Sequence, residues 1–327
     1  MDVYWISEGK AEQRSPAQIA ELLARRDGIL WVDIPVCDEQ ARVALAEVFR
    51  FHALAIRDCT ERCHIPKLRT YTDHLFTILH APEPGAAGHI HLLELDYFVG
   101  HHYLVTVHGP LNPEVPIEKS LRETRAVARR LLDGRFCPST AAELSHAIVT
   151  LIAARMETFV DELTRKVASL ERRVIERHRG DFQEALEDMF RVRHELLTLR
   201  TMAAACRELY ARMAALMRFL PPESQPFVAD LVDHFERVCS VCDSEREFLQ
   251  GIVDFYQSRT SAKMNHAMER LALMSAVLLP LTLLSGIYGM NIIVHPQTEP
   301  GELAGVLLSM VVVAAGVLWW ARRQGWW

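Results

Sequence analysis

Near the C-terminus, Asn265, Met268, Ala272, Ser275, Leu279, Thr282 and Gly286 are spaced 3, 4, 3, 4, 3, 4. On a helix that spacing gathers them onto one stripe. The stripe is small or mildly polar, while Leu273, Leu278, Leu281 and Leu284 lie elsewhere on the same helix. Uncharged amide and hydroxyl oxygens on an otherwise apolar helix suit two jobs: lining a polar conduit, or letting helices pack closely at small residues. Other chemistry-bearing residues are less organised. Cys59, Cys63 and His64 lie close in sequence, as do His234, Cys239 and Cys242. Neither group has the paired spacing of a structural zinc site, and helical cysteines commonly serve as small apolar fillers. The segment Gly85 to Gly88 is too short for a phosphate loop and lacks a Lys-Ser/Thr sequel. No nucleophile–base arrangement stands out. The sequence therefore predicts no enzyme, no nucleotide partner and no cofactor.

The stripe needs an element to carry it. Leu271 to Tyr288 holds eighteen residues without a charge, and its only polar side chains are two serines, one threonine and a terminal tyrosine. At 1.5 Å per residue such a helix just crosses a bilayer core of about 30 Å. It ends in Tyr288-Gly289-Met290-Asn291, and a second apolar run, Leu303 to Ala321, follows after a short loop. Pro280 is tolerable in a membrane helix. Two spans cannot enclose a pore within one chain, so a conduit would need several subunits, with a closed ring as the natural symmetry. Arg259, Lys263 and Arg270 precede the first span, Arg322 and Arg323 follow the second, and residues 291–302 carry no Lys or Arg. By the positive-inside rule both termini are cytoplasmic, in the inner (plasma) membrane of a cell, and the loop faces out.

Upstream lies a large polar chain. With 327 residues and a formal net charge of −6, it has room for one sizeable soluble domain and nothing that points to nucleic acid. Its N-terminus lacks a basic segment followed by an apolar run, so no cleaved signal is expected. Seven scattered cysteines do not form a disulfide framework and suit a reducing compartment. Residues 1–138 read as an α/β domain. Gly28 to Ile34 is a strand, Ser15-Pro16 and Asp38-Glu39 open short helices, and Val43, Ala46, Val48 and Phe49 supply the apolar side of the second. Strands His74–His80, His91–Val99 and Tyr103–His108 follow, the first two joined by a Pro- and Gly-rich hairpin turn, and Glu118–Leu132 returns to helical periodicity. Residues 139–268 are long helices forming a stalk. The last of these is expected to run unbroken past Gly251 into the span at 269–290, followed by a loop at 291–302, a second span at 303–321 and a tail at 322–327.

Tyr288-Gly289-Met290-Asn291 at the outer end of a penultimate span, a short loop, one more span and a basic tail resemble the CorA divalent-cation transporters. So does Pro280 to Asn291 nearly throughout, and the likeness extends upstream to Phe51–Cys59, Pro66-Lys67-Leu68, Tyr71–Phe76, Glu94–Gly100 and Tyr103–His108. The resemblance implies a funnel-shaped homopentamer in the bilayer, with cytoplasmic α/β domains and stalks and with five copies of the first span lining a pore. It places a ring of Asn291 at the outer mouth, presented by Gly289 and Met290, and hydrophobic constrictions at Met268 and Leu279. It also implies sensing of cytoplasmic Mg²⁺ at acidic sites between subunits, where Asp230, with Asp233 nearby, resembles the stalk aspartate and Glu83 is the available hairpin acid. Met290 favours Mg²⁺, with Co²⁺ or Ni²⁺ also carried. His295, where the family's loop usually carries a Met-Pro-Glu-Leu-like segment, leaves room for softer ions such as Zn²⁺. A transporter of Zn²⁺ or Ni²⁺ in the same family, and a membrane-anchored cation sensor or scaffold without a pore, are the competing expectations.

Overall fold

The computed structural model describes residues 1–176, 182–215, 222–289 and 300–323. The chain divides into two compact units, Met1–Gln250 and Gly251–Trp327.

The first unit is built on a seven-stranded sheet. Its strands are β1 (Asp2–Ser7), β2 (Lys10–Arg14), β3 (Ile29–Ile34), β4 (Lys67–Thr70), β5 (His74–Pro84), β6 (Ile90–Gly100) and β7 (Tyr103–His108). They lie in the order β2-β1-β3-β7-β6-β5-β4, and only the β3–β7 pair is parallel. The predicted strands are all present, and the β5–β6 hairpin is longer than expected because β5 continues through Ala81-Pro82-Glu83-Pro84. Its pairing with β4 stops at Ile78, which leaves one free edge where proline's missing N–H does no harm. Two parts of the sheet lie beyond the sequence prediction. One is β4. The other is the β1–β2 hairpin, which turns on Glu8 and Gly9, both at positive φ (48° and 77°), the geometry of a two-residue hairpin turn.

Residues on a strand alternate faces, so the sheet has two cores. One face, which includes Val32, Phe76, Ile78, Phe98 and Val105, is covered by α1 (Ile19–Ala24), α2 (Glu39–Val43) and α3 (Ala53–Asp58). Phe51 stacks on Phe98 there, with ring centroids 3.9 Å apart. Burying each such ring contributes roughly 1.5–3 kcal/mol. Ser15 caps the turn before α1 in a reciprocal arrangement with Gln18, as Ser15-Pro16 foretold. The apolar side expected for the Asp38–Glu39 helix is corrected. α2 runs into a π-turn over Ala44–Val48, where the Phe49 N–H reaches back to the Ala44 carbonyl. Ala41, Leu45 and Phe49 are buried in consequence, and Val43 and Ala46 are exposed.

The opposite face, with Leu79, Tyr97 and Leu104, meets long helices. A short turn of helix, α4 (Ile117–Ser120), precedes α5 (Arg122–Leu132), the two separated at Leu121 where one continuous helix was expected. Then come α6 (Ala141–Glu176) and α7 (Phe182–Ala215). The Tyr97 and Tyr210 hydroxyls are 2.6 Å apart, tying β6 to α7. Finally α8 is a single helix from Gln225 to Gly289, and α9 spans Pro300–Arg323. At 65 residues α8 is on the order of 100 Å long. It passes Gly251 without interruption, as the sequence predicted.

Candidate functional site

The acidic residues of the first unit are held by groups of the same chain. Glu83, on the extended end of β5, receives the Arg155 Nη2 at 2.5 Å and the Lys119 Nζ at 3.0 Å. Partial burial pushes its carboxyl upward, but the bonds from Lys119 and Arg155 outweigh that and leave it below the usual glutamate range. Arg155 is itself buried and also donates to Glu123 at 3.0 Å and to the Lys119 carbonyl at 3.1 Å. This closes a network between β5, α5 and α6. Asp230, on the first turns of α8, is half exposed and lies 2.7 Å from the His146 Nε2 of α6 and 3.7 Å from the His234 Nε2. The other ring nitrogen of His234 lies 3.1 Å from Glu157. Asp233 is exposed. Within one chain the structure therefore gives Glu83 and Asp230 separate partners. His146, Arg155 and Lys119 escaped the sequence reading because they lie 84, 72 and 36 residues along the chain from the groups they hold.

Neither Cys/His group forms a metal centre. Among the described residues no set of three or more His, Cys, Asp or Glu side chains has metal-holding geometry, and all seven cysteines are free thiols. The Cys63 thiol donates to the Ile65 carbonyl and the Cys239 thiol points at the Arg200 carbonyl, while Cys59, Cys206 and Cys242 are packed in cores.

The second unit has the opposite character. The C-terminal part of α8 and all of α9 are long and apolar enough to cross a bilayer, and their large side chains, such as Leu271, Leu278, Leu308 and Val311, are exposed in the isolated chain. Asn265, Met268, Ala272, Ser275, Leu279, Thr282 and Gly286 are all exposed as well. From Leu271 onward, the positions of α8 that are partly covered are Leu273, Val277, Pro280, Leu281 and Leu284. At 100° per residue these lie nearly half a turn round the helix from the polar stripe. Partly covered positions on α9, among them Val306, Met310, Val313 and Val317, also keep helical spacing. The stripe found from spacing thus lies within the face that the chain does not cover for itself.

Two details describe that face. The Thr282 hydroxyl donates to the Leu278 carbonyl at 2.8 Å, so its lone pairs are left outward as acceptors. A side chain added at Gly286 or Gly289 would meet nothing within 4 Å in the chain, so their smallness answers no internal crowding. Met290 and Asn291, and the loop with His295, lie outside the described residues.

Comparison with known proteins fits this division. YfjQ of Bacillus subtilis (strain 168) is 28% identical over 303 residues, covering 90% of this chain and 89% of that one. The cobalt/magnesium transport protein CorA of Thermotoga maritima is 24% identical over 64% of this chain and 58% of its own length. The zinc transport protein ZntB of Yersinia enterocolitica is 24% identical over 58% of this chain and 57% of its own length. In fold, the chain superposes on the CorA magnesium transporter from Methanocaldococcus jannaschii with a TM-score of 0.78 at 17% identity, covering 100% of this chain and 99% of that one. The family model described as CorA-like Mg²⁺ transporter protein matches residues 26–323, and the chain belongs to that family.

Proposed function

We propose that this chain is a divalent-cation transporter that moves Mg²⁺ inward, passively, through a pore assembled from five copies in the inner membrane. The observation that carries the reading is the uncovered stripe from Asn265 to Gly286, on the side of α8 away from its partly covered face. Five such stripes facing one axis would offer the Asn265 amide before the apolar constriction at Met268, the Ser275 hydroxyl between it and the second at Leu279, and the Thr282 hydroxyl beyond. Mg²⁺ gives up its water reluctantly, so neutral oxygens suit it by bonding to its hydration shell. A ring of Asn291 at the outer mouth, shaped by Gly289 and Met290, does the same without holding the ion as tightly as carboxylates would. A divalent ion crossing 100 mV gains about 4.6 kcal/mol, which drives influx without a nucleotide or a catalytic step.

Both termini are cytoplasmic in this reading, and cytoplasmic Mg²⁺ regulates the pore at Asp230 with Asp233. Glu83 is the weaker participant, because a metal would have to displace Arg155 and Lys119 from it. A second reading, Zn²⁺ as the carried ion, is favoured by the ZntB relatives and by His295.

The test is flux into liposomes holding the purified chain. Asn291→Ala is expected to abolish Mg²⁺ uptake while the oligomer stays intact by size and mass. Unaltered uptake in that variant overturns the role given to Asn291, wild-type vesicles that take up neither cation overturn the pore reading in favour of an anchored sensor or scaffold, and wild-type vesicles that pass Zn²⁺ but not Mg²⁺ replace the ion.

A further inference from the structure

The sheet face beneath α3 carries two acids that none of the transport chemistry uses. Glu94 and Asp96 are two residues apart on β6 and so point to the same side. Across the ladder Glu94 sits opposite His80 of β5, while Asp96 sits opposite Ile78 of β5 and Val107 of β7. Asp96 is 0% exposed, His80 1% and Glu94 8%.

Their hydrogen bonding is incomplete. The Glu94 Oε2 accepts from the Cys63 backbone N–H at 2.8 Å. The other Glu94 oxygen and both oxygens of Asp96 have no partner among the described residues. His80 cannot supply a charge. Its Nε2 donates to the Cys63 carbonyl at 2.6 Å, its Nδ1 is also buried without a partner, and burial holds the ring below the usual histidine range.

The cations nearby are engaged elsewhere. Lys67 and Arg69 of β4 both bind Asp58, at 3.1 and 2.9 Å, and Arg62 donates to the Pro110 carbonyl. From the end of α3 and the segment after β3 come the Cys59 and Cys37 thiols, both pushed up in pKa by burial and then by Asp96, and the Asp58 carboxylate, whose charge adds to the upward push on Asp96. Gly109 closes the end of the site, so tightly that a Cβ there would lie 2.8 Å from the Glu94 Cγ. Two carboxylates this close, dry and without a counter-ion cannot both be ionised.

We propose that Glu94 and Asp96 form a buried proton-binding pair, and that loss of the proton releases the Cys59–Ile65 loop from β6. The loop is the responsive part because it lies against the pair: the Cys63 N–H holds Glu94, charged or not, whereas Cys59 is packed beside Asp96, whose charge no donor meets. Once both groups are charged, the site must admit water, and the loop is the wall that meets both acids.

The sign of the effect follows from the shifts. Burial raises Glu94 to about 7, and burial and then the Glu94 charge raise Asp96 well above the aspartate range. The folded chain thus holds protons that the unfolded chain has already released. Stability from the pair is complete below the ordinary carboxylate range, falls as pH climbs through about 7, and continues to fall above it. The pair titrates as a unit, so the two steps belong to neither residue alone.

Infrared spectra of the full chain in detergent, in D₂O between pH 6 and 9, test this directly. The wild type is expected to show a protonated-carboxyl C=O band at pH 7 that fades toward pH 9. Glu94→Gln and Asp96→Asn are each expected to weaken it, and the double variant to lose it. In parallel the wild-type melting temperature falls from pH 6 to pH 9, with a smaller fall in the double variant. Absence of the band in wild type at pH 7, or its survival in the double variant, overturns the proposal. So does unchanged hydrogen exchange in the 59–65 segment, corrected for intrinsic rates, across the same pH range. The wild-type measurements need no substituted protein to fold, and they are independent of whether Mg²⁺ or Zn²⁺ is carried.

Discussion

At the outer end of β5, on α6 and at the start of α8, acidic side chains find their partners inside the chain. Glu83 has Arg155 and Lys119, Asp230 has His146, and Glu157 has His234. Along the C-terminal part of α8 the reverse holds. The stripe from Asn265 to Gly286 is exposed, and the described bond of Thr282 runs back into its own helix. The first region is finished by folding. The second is left for surroundings to finish, with lipid on the large apolar side chains and, in the proposed assembly, other copies on the stripe. Substitutions in the two regions should therefore fail in different assays, stability in one and transport in the other.

The largest expected effect tests the self-contained region. Arg155→Met removes a buried guanidinium and leaves Glu123 and part of Glu83 uncompensated. Breaking a buried pair from one side typically costs about 3–5 kcal/mol, so denaturant unfolding of the purified chain should show a loss of that order. Transport per folded molecule should hardly change. An unchanged unfolding curve would mean that solvent already does what Arg155 is credited with.

On the stripe the outcome should invert. Thr282→Val keeps the shape and removes the oxygen, which is expected to lower cation flux about tenfold, the equivalent of roughly one hydrogen bond. Stability should stay within about 0.5 kcal/mol, as for a surface position. Leu281→Met, on the partly covered side, should leave flux within about twofold, since volume-conserving apolar exchanges are well tolerated. Equal flux loss in both variants would erase the distinction between the two sides of α8.

Much of this was legible in the sequence, for physical reasons that differ by region. The stripe and the spans were readable because helical periodicity is local, and a 3, 4 spacing or an uncharged run of eighteen residues needs no partner to be recognised. The central strands were readable for the same reason. The β1–β2 hairpin was not, because its turn is Glu8-Gly9 in place of the Asn-Gly or Asp-Gly that announces such turns. The α2 face was misassigned because the π-turn at Ala44–Val48 changes the period within one element. Nothing local predicts that Arg155 meets Glu83 or that His146 meets Asp230. Those pairs exist only once the sheet and the long helices are packed together, and they change the reading of the acids most.

The smallest effect separates the two regions most cleanly. Gly286 lies on the stripe, and a Cβ added there meets nothing within 4 Å. Judged by the chain alone, Gly286→Ala is favourable, because alanine in a helix interior is worth about 0.8–1.0 kcal/mol over glycine. Judged by the proposed assembly, it adds five methyl groups to the lining near the outer mouth. The two views predict opposite signs in two measurements on one variant. Melting temperature should hold or rise slightly, while Mg²⁺ flux per assembled protein falls. If flux rose or stayed level with stability, the stripe would be ordinary helix surface, and Gly286 would have no neighbour beyond its own chain.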